Sequence, residues 1–267
     1  MTAPHHPLHS RTEDLSSLFR PAPPQPGPSE IVPAEYLERG DAITILRCSA
    51  SRGVYAVSRV LSMTALEGEV SLDVHPVAGQ RRTVELKQFE TITLWPGTLY
   101  RIGDSSVGDL LRMERESRSV FCAAEDSNAA SRAPSSGYTI HSPILINIEQ
   151  RISSVVPPAV CPGFELRLVC GFTDNTPHYH ASFSEAYHVV DGEMRVQLAN
   201  LAGNFTEQSV KAGETVVIPR YVVHHVVGGA EENRVLVAYW PRFLADQGDY
   251  HVVAPGEAHT RALDSGA

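Results

Sequence analysis

The 267-residue sequence predicts an all-β protein made of two copies of one unit, and three observations carry that expectation. The first is texture. From Asp41 onward, short runs such as AITILRC, VYAVSRVLSM, EVSLDVHP and TVELKQFETITLWPG are rich in Val, Ile, Thr and Leu. Gly or Pro punctuates them, which is strand-and-turn text rather than helical text. The second is that this texture resumes after a polar break, in ILINI, FELRLVCGF, EAYHVV, EMRVQL, ETVVIP, YVVHHVV and RVLVAYW. The third is register. Gly68-Glu69 recurs 124 residues on as Gly192-Glu193, and Lys87, Glu90 and Thr91 recur at the same offset as Lys211, Glu214 and Thr215. One gapless offset through four residue types points to duplication of a single β unit.

Taken in order, residues 1–34 carry PHHPLH and RPAPPQPGP with few aromatics, and read as a flexible Pro-rich arm. Residues 35–122 hold the first strand-rich unit. Residues 123–141, opening AAEDSNAASRAPSSG, read as a linker. Residues 142–240 form the second unit, and residues 241–267, with Gly and Pro and no clear period, form a tail that packs in part.

Composition removes several classes of partner. The formal net charge is −9 with no basic stretch, so neither nucleic acid nor an anionic membrane surface is expected to bind. No apolar run approaches the ~20 residues of a membrane helix. The N-terminal text MTAPHHPLHSRTEDL lacks the apolar segment of a secretory signal. Cys48, Cys122, Cys161 and Cys170 form no CxxC or similar zinc spacing. The expectation is a cytoplasmic protein with reduced thiols, each serving as a small buried hydrophobe.

The chemistry concentrates in the second unit. His178 and His180 flank Tyr179, so on a strand they project to one side. Glu185 enters the same space if the next strand folds back, and Tyr187 shares its parity while His188 points away. Further on come Gly213, Pro219, Tyr221 and the pair His224-His225. A ligand from that returning strand completes three imidazoles and one carboxylate. This donor set suits Fe(II), Mn(II), Ni, Zn or Cu and leaves positions open for substrate or water.

The arrangement resembles the cupin superfamily, whose first motif reads G-x5-H-x-H-x3,4-E-x6-G and whose second reads G-x5-P-x-G-x2-H-x3-N. His178, His180, Glu185 and Gly192 fit the first, and Gly213, Pro219 and His224 fit the second. By that resemblance the four metal ligands are His178, His180, Glu185 and His224. Three departures stand: Gly171 precedes His178 by one residue too many, Tyr221 replaces the turn glycine, and Gly228 replaces the Asn. The changed turn leaves His225 as an alternative ligand. The resemblance covers residues 142–240 directly and implies two tandem jelly-roll barrels, a bicupin. Stepping back by 124 from the ligands gives Val54, Ala56, Leu61 and Tyr100, so the first barrel is a degenerate one with no metal site.

The resemblance implies an enzyme with one divalent metal per chain, acting on a small organic molecule. Fe(II) and oxygenase or oxidase chemistry with O2 is the first expectation. A non-redox isomerase, lyase, cyclase or decarboxylase with the metal as Lewis acid is the second, and a non-catalytic binding protein the third. Tyr187 is the candidate general acid or base, although an aromatic side chain there also serves as barrel filling. Exposed barrel edges allow a homodimer.

Overall fold

The computed structural model describes residues 14–22, 29–37, 41–48, 53–115, 137–157, 160–161, 163–200, 204–240 and 249–253. The chain divides into two compact units, one of residues 1–22, 147–152 and 168–267, the other of residues 23–146 and 153–167. Both are antiparallel β structures.

In the N-terminal unit one sheet runs Tyr138–His141, Thr91–Leu94, Val60–Ala65, Asp109–Arg115, Ala42–Arg47, Ser29–Val32. A second sheet runs Val54–Ala56, Leu99–Ile102, Val70–His75, Arg82–Leu86. Leu61, Met63, Leu72, Ile92, Leu94, Tyr100 and Ile102 belong to the apolar core of this unit. Where those strands bury a hydroxyl, it finds a cross-strand partner, as in Ser62–Thr93 at 2.8 Å and Thr64–Thr91 at 2.7 Å. Each pairing spares the sheet an unsatisfied buried polar group.

In the C-terminal unit one sheet runs Phe205–Lys211, Glu193–Ala199, Val223–Gly229, His178–Tyr179, His251–Val252. In the other, Phe19–Arg20, Thr215–Ile218, Ser184–Asp191 and Arg234–Trp240 lie side by side.

The duplication is visible in the backbone. The strands Thr91–Leu94 and Thr215–Ile218 begin and end 124 residues apart. Gly68 and Gly192 turn at φ 71° and 72°, a left-handed conformation that favours glycine. The Glu90 carboxylate accepts from Lys87 N at 3.0 Å, and Glu214 accepts from Lys211 N at 2.8 Å, closing the same turn twice. Two barrels of one design result. The first has lost its ligands: Leu61 and Tyr100 are core residues, Tyr100 stacks on Tyr55 at 5.2 Å, and Val54 is exposed.

Several short elements arise in stretches that read from sequence as arm, linker and tail. Leu15–Leu18 forms a 3-10 turn with Leu15 and Leu18 buried, capped by Asp14, whose carboxylate accepts from Ser16 N at 3.0 Å. Phe19–Arg20 then pairs with Thr215 and Val216 of the C-terminal unit. Ser29–Val32 pairs with Ala42–Arg47, and Tyr138–His141 pairs with Thr91–Leu94. Such strands are two to four residues long, too short to carry a period of their own, and their partners supply the ladder. Residues 1–13, 23–28, 116–136, 241–248 and 254–267 lie outside the described residues.

Cys48 and Cys161 are buried free thiols, and burial pushes both up to about 11; Cys122 lies outside the described residues. No described helix is long and apolar enough to cross a membrane.

Candidate metal centre

Strand alternation and register assemble the centre. His178 sits directly across from His224 on the neighbouring strand, and His180 follows two residues on from His178. Glu185 comes from the other sheet, between Ile218 and Tyr239. The chain between His180 and Glu185 is held by a turn in which Tyr221 N donates to His180 O at 2.8 Å. Tyr221 adopts φ 65°, the conformation the missing glycine would take, so the turn survives its substitution.

The four side chains are buried, and their ligand atoms all lie within 4.8 Å of one another. Glu185 Oε1 stands 2.5 Å from His224 Nε2 and 3.7 Å from His180 Nε2. With bonds of about 2.1 Å, ligands around one ion are separated by roughly 3 to 4 Å; the His180–Glu185 pair at 3.7 Å lies in that range, and the His224–Glu185 pair at 2.5 Å is closer. His225 lies outside the group, with Nε2 3.4 Å from Asp174 Oδ1 on a half-open face. His188 points to the opposite side, its Nδ1 2.9 Å from Thr215 Oγ1.

The hydrogen-bond pattern leaves each imidazole Nε2 available to an ion. His178 Nδ1–H donates to Thr176 O at 2.7 Å, His180 Nδ1–H to Asp249 O at 2.7 Å, and His224 Nδ1–H to Val222 O at 3.1 Å. Each donation fixes the tautomer that leaves Nε2 with a free lone pair. His224 Nε2 is fully buried and makes no hydrogen bond, despite its closeness to Glu185. An orphaned nitrogen inside a barrel is costly unless something else is its partner, and a cation is the partner this donor set fits.

Electrostatics act differently on His178, Glu185, His180 and Tyr187. Burial, reinforced by His224, holds His178 down at about 2, so the ring is neutral and ready to ligate. Burial also opposes charge on Glu185, but His224 and His180 outweigh it and keep the carboxyl well below its usual range. Burial opposes a proton on His180 too, yet Glu185 and the Asp249 carbonyl prevail and raise it. Tyr187 donates its hydroxyl to Glu185 Oε1 at 2.9 Å. Burial first, and the Glu185 charge second, push this phenol well above its ordinary value.

Beside the four groups opens a cavity of about 390 Å³, within the range of small-molecule sites. Phe172, Tyr187, Tyr239 and Tyr250 give it aromatic walls, with Val169 and Val237 between them and Gln150 and Asn175 as neutral polar groups. Three residues escaped sequence reasoning. Asp249 and Tyr250 come from the tail, where the text DYHVV is too short to show a period. Asn233 is the third: fully buried, it donates to Phe172 O and Glu193 O and accepts from Phe172 N at 2.6 Å.

Residues 173–241 match the family model described as Cupin. The C-terminal barrel belongs to the cupin superfamily. No curated protein matches the chain in sequence. Among solved structures, Bacillus subtilis oxalate decarboxylase, described for its Mn(II) centres, matches with TM-score 0.53 at 13% identity. That match covers 76% of this chain and 69% of the other. Lactobacillus farciminis oxalate decarboxylase in its formate complex matches with TM-score 0.53 at 12% identity, over 80% and 78% of the two chains. At such identity the likeness is one of fold alone.

Proposed function

We propose that this cupin is an enzyme holding one divalent metal ion on His178, His180, Glu185 and His224, and that it acts on a small organic molecule in the adjoining cavity. The observation that carries this is the orphaned, fully buried His224 Nε2 at the meeting point of three imidazoles with committed Nδ1 protons. Fe(II) is the first metal and oxygenase or oxidase chemistry the first reaction. Bound there, the ion would supply Lewis-acid and redox chemistry to a substrate in the adjoining cavity.

The protein's own part is holding and shaping. Tyr187 keeps its proton through the neutral range and orients Glu185, so its role here is donor to a ligand rather than general base. Phe172, Tyr239 and Tyr250 offer flat walls to a ring. Among the described lining residues there is no Lys or Arg, and the carboxylate besides Glu185 is Asp174, 80% exposed. A doubly charged anion finds no Lys or Arg among those described residues. An uncharged or singly ionised ring compound with two adjacent oxygens fits better.

A second reading, a non-redox decarboxylase using Mn(II), is favoured by one observation: the similar folds include oxalate decarboxylases with Mn(II) centres. Anaerobic Fe(II) loading followed by nitric oxide and electron paramagnetic resonance separates the two. A high-spin iron-nitrosyl signal that shifts on adding catechol supports oxygen chemistry. As-purified protein rich in Mn, with no nitrosyl response after Fe(II) loading, moves the assignment to the second reading.

A further inference from the structure

The segment 249–253 returns to the C-terminal unit from the far end of the chain and touches the centre at two ligands. His251–Val252 forms a strand paired with His178–Tyr179, and Val253 N donates to Pro177 O at 3.0 Å. Val253 is buried with Ala199 and Val223. The Tyr250 ring lies on the His178 ring, centroids 3.9 Å apart and planes 23° from parallel. These contacts make the segment part of the barrel.

Within it, Asp249 has an unusual set of partners. Its carboxylate accepts from the backbone N–H of Ala181 at 2.8 Å and of Ser182 at 2.9 Å, and from the Ser182 hydroxyl. His251 Nε2 lies a further 3.2 Å from it. Its main-chain carbonyl accepts the Nδ1–H of His180. One buried residue thus grips both the ring of His180 and the main chain that leaves it. With its oxygens so engaged, the carboxylate is not a ligand; whatever it does for the ion passes through His180.

We infer that Asp249 is a positioning residue of the metal centre: its side chain anchors the 181–182 main chain so that its own carbonyl meets His180 and fixes the Nε2-free tautomer. This rests on the metal reading above. It also assigns a working role to a tail segment 69 residues from the histidine it serves. Removal of such an outer partner typically costs about 10- to 100-fold in metal affinity.

The test is metal titration of the full chain with Co(II), following the visible bands, beside long-range ¹H–¹⁵N spectra of the metal-free protein at alkaline pH. In the wild type His180 is expected to carry its proton on Nδ1. Asp249→Ala should weaken Co(II) binding about 10- to 100-fold at unchanged one-to-one stoichiometry and mix the His180 tautomers. Asp249→Asn, which keeps one acceptor oxygen, should recover part of both. A merely structural residue would leave the tautomer unmoved. Should Asp249→Ala fail to fold, Ser182→Ala removes one donor and is expected to weaken binding about two- to tenfold. Wild-type affinity in these variants, or a wild-type His180 protonated on Nε2, overturns the inference alone. A wild-type chain that takes up no ion overturns the metal reading and the inference with it.

Discussion

Three imidazoles crowd one barrel, and a main-chain carbonyl accepts each Nδ1–H, which turns each Nε2 toward the shared space. Glu185 then supplies the single negative charge, steadied by Tyr187. His180→Ala and Glu185→Ala should each abolish stoichiometric metal while circular dichroism stays that of a folded β protein. Full metal retention in both would sink the ligand assignment. Tyr187→Phe, by contrast, should keep one ion per chain but weaken it up to about tenfold, because the ring still meets Phe172 edge-on while Glu185 loses its donor. The His178, His180 and Glu185 cluster was legible because strand parity alone aligns those three. His224 was legible only beside His225, and the half-buried position of His225 against Asp174, outside the cluster, separates them. Asp249 was not legible, since it works largely through a main-chain carbonyl that every residue possesses.

At the level of elements, single polar residues tie strands together. Asn233 joins the chain at Phe172 to the carbonyl of Glu193 with three hydrogen bonds and no exposure to water. Asn233→Ala leaves those buried groups unpaired and should destabilise the C-terminal unit by about 2–4 kcal/mol, read from the urea midpoint. In the N-terminal unit Asp73 plays a comparable part on its central strand, facing Thr83 on one side and Arg101 on the other. The Thr83 hydroxyl foremost, then Arg81 and Arg101, hold its carboxyl down from 3.8 to about 2. A depressed carboxylate stabilises the fold fully above pH 3.8 and loses that contribution as pH falls through about 2. Acid unfolding should therefore be less steep over that window in Asp73→Asn, and an unchanged profile would exclude this source. Strand texture was readable because Val, Ile and Thr alternate with turn residues. Strands such as Phe19–Arg20 were not, because pairing partners far away in sequence decide them.

Across the whole molecule, duplication distributed the chemistry unequally. The offset of 124 residues carried turns, glycines and strand ends from one barrel to the other, but the ligand positions became Val54, Ala56, Leu61 and Tyr100. Leu61 and Tyr100 now fill the interior that an ion would need. Chelation and reconstitution should accordingly saturate near one ion per chain, measured by elemental analysis against protein concentration. Two ions per chain would refute the blind first barrel. This much of the architecture could be read from one sequence, since a gapless repeat is its own alignment. What composition hid is how the ends of the chain are used: Pro-rich and Gly-rich text conceals the few residues that dock.

Those docked ends have a consequence for how the centre comes into being. All four ligand side chains fall between residues 142 and 240, yet the strand that borders Thr215–Ile218 is made of Phe19 and Arg20, and the carbonyl that orients His180 belongs to Asp249. A ribosome releases the first of these long before the second. Completing this barrel thus takes segments from both sides of the motif, and a fragment cut to the motif would carry the four side chains without them.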